Sequence, residues 1–307
     1  MEPINVSREN FPRSTEYADG MQIINPKCDF YELSYEYDVP YRTINGRTLY
    51  LQLIKPINAG SKTPAIIYIP GSAFHRQNVK ERVAQAAMLA VKGYFVALLE
   101  YTGSEDGRFP QFVLDAKAGV VFIKSHAAEY GIDKENVFVM GDSSGAYTAL
   151  MTGLTNGVNS LEDEISKMND YSVKGIIDFY GPTDITTMNN VPSSQDHRTA
   201  DSPEGLMIGG YRPLERLDLS KPTIIKEYLK ANKQYPPVIM FHGSNDELVP
   251  FSQSCELFEA MKNCGVNASL YQIEGAHHGD RQFWSSEVLK MIDEFIKKNR
   301  EQLRQNS

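Results

Sequence analysis

The sequence is poor in cysteine, and its three cysteines form no pattern. Cys28, Cys255 and Cys264 are odd in number and lack Cys-x-x-Cys spacing, which excludes a disulfide framework and a cysteine-based zinc site. No apolar run approaches the roughly 18 residues of a membrane-spanning helix. Met1 to Asn10 holds polar and acidic residues rather than a basic segment followed by an apolar one, so no secretory signal is read there, and a reducing, cytoplasmic setting is expected. Positive charge is in deficit: 31 Lys and Arg against 39 Asp and Glu leave a net charge of −8. That balance argues against nucleic acid and against an anionic membrane surface as partners. The six histidines show neither His-Glu-x-x-His nor His-x-His spacing, and the adjacent pair His277-His278 cannot easily chelate one ion, so neither metal nor cofactor is expected. Linkers, low-complexity tracts and internal repeats are also missing, and the 307 residues are read as one domain. A monomer and a homodimer both fit these patterns.

What is present is organised. Residues 1–30 are polar and irregular and read as an N-terminal arm that wraps the surface or contributes to a lid. Two alternating segments, Tyr31 to Tyr37 and Thr48 to Ile54, flank Asn45-Gly46 and predict an antiparallel pair joined by a tight turn. From residue 64 onward strands and helices alternate. Ala65 to Ile69, Tyr94 to Leu99, Val137 to Met140, Val173 to Tyr180, Pro237 to Phe241 and Ala268 to Ile273 read as strands. Val79 to Val91, Gln111 to Tyr130, Gln253 to Met261 and Ser286 to Lys298 read as helices. This order predicts an α/β fold: a mostly parallel central sheet with helices on both faces and an antiparallel pair at its front edge. Residues 184–219 break the alternation. A stretch that long without periodicity predicts a lid or a pocket wall.

One short stretch carries chemistry. Gly141-Asp142-Ser143-Ser144-Gly145 follows the apolar run Val137-Phe138-Val139-Met140 and precedes a helix-like segment from Ala146 to Leu150. Strand, Gly-x-Ser-x-Gly, helix is the pattern of a nucleophile elbow, which presents its central serine, here Ser143, on a sharp turn. A serine hydroxyl needs a base to take its proton, and the base needs an acid to orient it. In elbow-bearing folds these follow in the order serine, acid, histidine. Beyond Ser143, the strand Pro237 to Phe241 runs into His242-Gly243-Ser244-Asn245-Asp246-Glu247, and the strand Ala268 to Ile273 runs into Glu274-Gly275-Ala276-His277-His278-Gly279. Both segments lie just past strand carboxyl ends, where open α/β sheets bind ligands. Spacing alone leaves Asp246 or Glu247 as the acid and His277 or His278 as the base. Donors for a developing oxyanion are expected from the backbone N–H of Ser144 and from the loop Pro70-Gly71-Ser72-Ala73-Phe74.

With these residues in view, the chain resembles the α/β-hydrolase superfamily, and within it the hormone-sensitive-lipase-like and bacterial acetyl or feruloyl-type esterases, over roughly residues 45–300. The resemblance rests on several segments: Ile69-Pro70-Gly71-Ser72-Ala73-Phe74, where the family has His-Gly-Gly-Gly; Arg108-Phe109-Pro110 with Asp115; Tyr130-Gly131-Ile132-Asp133 and the elbow; Tyr180-Gly181-Pro182-Thr183-Asp184; Ser202-Pro203-Glu204 with Ile208-Gly209-Gly210; and His242-Gly243 with Asp246 and Val249-Pro250. Gly275-Ala276-His277-His278-Gly279 is similar to the family's Gly-Ala-Gly-His-Gly. The resemblance implies Ser143, Asp246 and His278 as the triad and leaves His277 in a glycine's place. It implies the N–H groups of Ser72, Ala73 and Ser144 as the oxyanion hole. Pro70 departs from the motif histidine, and Ser72 and Ala73 from two glycines.

The resulting expectation is a serine carboxylesterase that cleaves short, chiefly acetyl, esters of small carbohydrate-derived molecules through an acyl-enzyme. The same triad would serve an amidase, formamidase or small peptidase, and a hydrolase fold can also act as a non-catalytic receptor. Phe74, His75 and Tyr180 are the expected substrate contacts, with Tyr101 and residues 184–219 as further pocket walls. Trp284 is expected to pack in the core.

Overall fold

Asn45 and Gly46 both take positive φ, 50° and 78°, as the tight turn of a two-residue hairpin requires. They join β1 (Leu33–Ile44) to β2 (Arg47–Pro56), which pair antiparallel. The computed structural model describes residues 5–60 and 62–301. After the hairpin come β3 (Thr63–Ile69), α1 (Val83–Ala90), β4 (Phe95–Leu99), α2 (Gln111–Ser125) and α3 (Ala127–Tyr130). The chain continues with β5 (Ile132–Asp142), α4 (Ser144–Leu154), α5 (Glu164–Met168) and β6 (Ile176–Phe179). Two short helices, α6 (Pro203–Met207) and α7 (Leu217–Ser220), lie in the aperiodic region. Then follow β7 (Val238–Gly243), α8 (Phe251–Asn263), β8 (Ala268–Ile273) and α9 (Ser286–Glu301). The eight strands form one sheet in the order β1-β2-β4-β3-β5-β6-β7-β8. β1, β2 and β4 join antiparallel, and every pairing from β4 to β8 is parallel. This is the α/β-hydrolase fold.

The central strands are apolar throughout because helices cover both faces. Along β3, Ala65, Ile67 and Ile69 point into one core with Phe112, Tyr147 and Leu150, whereas Ile66 and Tyr68 point into the other with Leu89, Phe283 and Ile292. That period of two, with polar faces absent, is what a doubly covered strand requires. Each fully buried aliphatic side chain contributes about 1.5–3 kcal/mol. Buried charge also ties the layers together. Arg42 of β1 lies 3.1 Å from Asp115 of α2, and Asp115 accepts the Thr102 N–H at 2.9 Å.

Two expectations need adjustment. The helix predicted over 111–130 divides at His126, whose ring stacks on Phe122 and whose Nδ1 lies 2.8 Å from the Phe122 carbonyl, competing for a helical acceptor. The helix predicted from Val79 begins with a 3₁₀ turn, Val79–Arg82. In the N-terminal segment residues 7–32 are exposed throughout, including Phe11, Ile23 and Ile24 at 71%, 86% and 80%, and Tyr31 N–H donates to the Val91 carbonyl at 3.0 Å. Residues 1–4 lie outside the described part. No helix among the described residues is long and apolar enough to cross a membrane.

Candidate active site

β5 sits at the centre of the sheet, between β3 and β6, and its carboxyl end turns directly into α4. The residue at the turn is Ser143, with φ 53° and ψ −127°, a conformation that costs an L-residue about 1–3 kcal/mol. Two hydrogen bonds hold it: Ser143 N–H donates to the Phe179 carbonyl at 2.9 Å, and the Ser143 carbonyl accepts from Tyr147 N–H at 3.1 Å. The turn is possible only because the residues two before and two after it, Gly141 and Gly145, lack side chains. A Cβ on Gly145 would lie 1.9 Å from the Ile69 carbonyl oxygen, and one on Gly141 would lie 2.3 Å from the Gly145 backbone. The glycine spacing in the sequence is therefore the imprint of a strand and a helix packed backbone to backbone.

The loops after β7 and β8 bring two side chains to Ser143. His278 Nε2 lies 3.0 Å from Ser143 Oγ, and His278 Nδ1 lies 2.8 Å from Asp246 Oδ2. The Asp246 side chain is fully buried, and its Oδ1 accepts the N–H groups of Leu248 and Val249 at 3.0 and 2.8 Å. Burial alone would raise the Asp246 carboxyl. Hydrogen bonds from His242 and His278 outweigh that and hold it well below the usual carboxylate range. It is therefore an anion at neutral pH. With the Nδ1 proton donated to Asp246, Nε2 is left to accept a proton from Ser143. Glu247 and His277 form a separate pair, 3.0 Å apart, with both side chains about half exposed. Sequence spacing could not separate these neighbours; the backbone of each loop turns one residue inward and the next outward.

The oxyanion loop departs from expectation at one position. Ser72 N–H donates to the Ser144 hydroxyl at 2.9 Å, so this amide is already engaged. The hydroxyl of Ser144 also lies 3.1 Å from the Tyr101 phenol, which burial pushes up to about 12 and which therefore stays protonated. Neither Ala73 N–H nor Ser144 N–H has an internal partner among the described residues, and both residues line the pocket. Ala73 takes φ 52°, where the related motif has glycine. Asp142 ties loop to elbow, accepting from Tyr68 OH at 2.7 Å and Gly71 N–H at 3.1 Å.

Of the expected substrate contacts, Tyr180 lies against the His278 ring with centroids 4.6 Å apart, and Phe74 forms a buried part of the pocket wall, packed edge-on to Tyr147. His75 does not line the pocket. Its Nδ1 pairs with Glu105 at 2.8 Å at the surface. Tyr101 lies beneath the loop rather than in the wall, and Trp284 packs edge-on against Tyr68 and Phe179. The pocket has a volume of about 260 Å³, and Gln195, His197, Pro203 and Glu204 of the aperiodic region form one side of it. Two residues escaped sequence reasoning. His242, fully buried, places Nε2 3.3 Å from Asp246 Oδ2 and Nδ1 2.7 Å from Ser254 Oγ. Its position one residue past an apolar strand core was the available signal. His197 lay in a stretch with no periodicity to mark it. Among the described residues no group of three or more His, Cys, Asp or Glu side chains is gathered to hold a metal ion.

Comparison with known proteins follows the same lines. The family model described as BD-FAE matches residues 51–261. Esterase LipC of Mycobacterium tuberculosis is 24% identical over 221 residues, which are 70% of this chain and 53% of that protein. The chain spans about half the length of the curated relatives it matches. A solved structure titled as a truncated form of a carbohydrate esterase from gut microbiota superposes with a TM-score of 0.77 at 26% identity, covering 89% of this chain and 98% of that one. A bifunctional GH43-CE protein of Bacteroides eggerthii superposes with a TM-score of 0.75 at 28% identity, covering 86% of this chain and 38% of that one.

Proposed function

The chain belongs to the BD-FAE family of α/β-hydrolases, and from that premise we propose that it is a serine carboxylesterase cleaving short-chain, chiefly acetyl, esters of carbohydrate-derived alcohols. The observation that carries the reading is the continuous hydrogen-bonded line Asp246–His278–Ser143, ending in a hydroxyl on a strained turn. His278 Nε2 takes the Ser143 proton as Oγ attacks the ester carbonyl. Asp246, kept anionic by its donors, stabilises the imidazolium that forms. The amides of Ala73 and Ser144 receive the oxyanion. His278 returns the proton to the leaving alcohol, and water attacks the acyl-enzyme with His278 again as base.

The size of the pocket supports a short acyl group. About 260 Å³ is near the lower bound of ligand sites and is narrowed by Phe74, Tyr180 and Leu248. The likeness to carbohydrate esterase structures supports the alcohol side. Three unpaired cysteines, Cys28, Cys255 and Cys264, are consistent with a reducing compartment such as the cytoplasm. The test is a series of p-nitrophenyl esters of increasing chain length, run on the wild type and on Ser143→Ala. Activity should peak at roughly two to four acyl carbons and fall at least about 10⁴-fold in the variant. A peak at long chains would reject the short-acyl assignment, and undiminished turnover by Ser143→Ala would reject the mechanism.

A further inference from the structure

The pocket wall carries a buried Glu–His pair that ester hydrolysis itself does not require. Glu204 and His197 are each 3% exposed, yet both line the same pocket as Ser143 and His278. Glu204 Oε2 lies 2.9 Å from His197 Nδ1, off the line of a hydrogen bond. The other ring nitrogen, Nε2, is 3.0 Å from the Leu248 carbonyl and 3.1 Å from the Ser193 hydroxyl. With its Nε2 proton on that carbonyl, His197 must carry a second proton to meet Glu204 favourably. Burial pushes the imidazolium down, but the Glu204 carboxylate pushes it up further, and the ring is held above its ordinary value.

The pair is thus a buried carboxyl group set against an imidazole whose surroundings favour its protonated form, with spare acceptor capacity. His197 is the one polar contact of Glu204 among the described residues and engages Oε2 only. Beside it, Gln195 uses only its backbone in hydrogen bonds, to Ser193 Oγ and Asn189 Nδ2. A pocket built for a wholly apolar ester would have no use for these groups, because a desolvated carboxylate without a donor is costly. Hydroxyl groups supply such donors, and a hydroxyl bonded to a carboxylate makes a short, charge-assisted bond.

We propose that Glu204, oriented by His197 and flanked by Gln195, forms a hydroxyl-binding subsite that selects esters of polyols such as sugars over esters of simple alcohols. This rests on the esterase reading above and assigns its alcohol specificity to named side chains. Sites that hydrogen-bond a substrate hydroxyl reject analogues lacking it far more strongly than apolar pockets reject a missing methylene. The experiment compares kcat/KM for acetylated xylo-oligosaccharide and for p-nitrophenyl acetate in wild type, Glu204→Gln and Gln195→Ala. The ratio of the two should fall roughly 10–100-fold in Glu204→Gln, mainly through KM for the sugar ester, and in the same direction in Gln195→Ala. A ratio unchanged in both variants, including an equal loss on both substrates, overturns the subsite. Wild-type protein that hydrolyses neither ester overturns the esterase reading and the subsite with it.

Discussion

At the scale of single residues, Ser143 stores strain that the proposed role of nucleophile demands. Replacing it with glycine removes the Cβ from a positive-φ position, and Ser143→Gly should be more stable by about 1 kcal/mol while losing activity. Urea denaturation beside an esterase assay would check this; a less stable variant would show that the turn is not strained. Asp246 offers a complementary test. Asp246→Asn keeps an oxygen for the Leu248 and Val249 amides but can no longer stabilise the imidazolium, so kcat should fall about 10³–10⁴-fold with folding retained. Circular dichroism and steady-state kinetics on one preparation would read both. At this scale Ser143 was legible in the sequence, because two glycines at fixed spacing record a close backbone approach. The choice between His277 and His278 came from the family resemblance and not from spacing, because adjacent residues in a loop differ only in which way they face, and loop dihedrals are set by tertiary contacts. The occupied amide of Ser72 was equally hidden, since it depends on the hydroxyl of Ser144, 72 residues away.

At the scale of elements, the contact between β3 and α4 defines the elbow. Gly145→Ala places a Cβ within 1.9 Å of the Ile69 carbonyl, against backbone that cannot rotate aside. It should destabilise the protein by at least about 4 kcal/mol or prevent soluble expression, and thermal melting would show it. β6 carries a second prediction. Asp178 is fully buried, accepts one hydrogen bond from Gly181 N–H at 2.9 Å and has no partner for Oδ2 among the described residues. Burial pushes its carboxyl from the ordinary aspartate range up to about 7. The native state therefore holds this proton where the unfolded chain has lost it. Stability falls as pH rises from about 4 to 7, and the full penalty, on the order of 4 kcal/mol, persists above that. Asp178→Asn should stabilise the protein at pH 8 and change it little at pH 4; denaturant titrations at both pH values decide, and an equal effect at both would contradict the burial argument. Strands β3, β4 and β8 were legible within a residue or two because apolar runs bounded by turn residues have few alternatives. The division at His126 was not, since it depends on a ring stacking back onto its own helix.

At the scale of the whole molecule, alternation of strands and helices, with a hairpin in front, was enough to specify sheet and layers. It could not specify how the aperiodic region folds back to line the pocket of Ser143 and His278. That region is tied to the acid loop by Ser193 and Ser194, whose hydroxyls reach the Glu247 carbonyl at 3.1 and 3.0 Å, contacts that no local pattern announces. The N-terminal arm is the opposite case, a segment whose sequence suggested a structural role. Its exposure predicts that removing residues 1–29, which leaves Tyr31 and its bond to the Val91 carbonyl, shifts stability by no more than about 0.5 kcal/mol. Melting temperatures of the full-length and shortened proteins test this, and a large loss would mean that the arm packs on something.

The most direct test of the central claim is mass spectrometry of the protein after reaction with a fluorophosphonate. A single covalent adduct should form on the peptide containing the elbow and map to Ser143. It should vanish in Ser143→Ala and persist in Ser144→Ala. An adduct on Ser144, or none on a protein that still hydrolyses esters, would contradict the account.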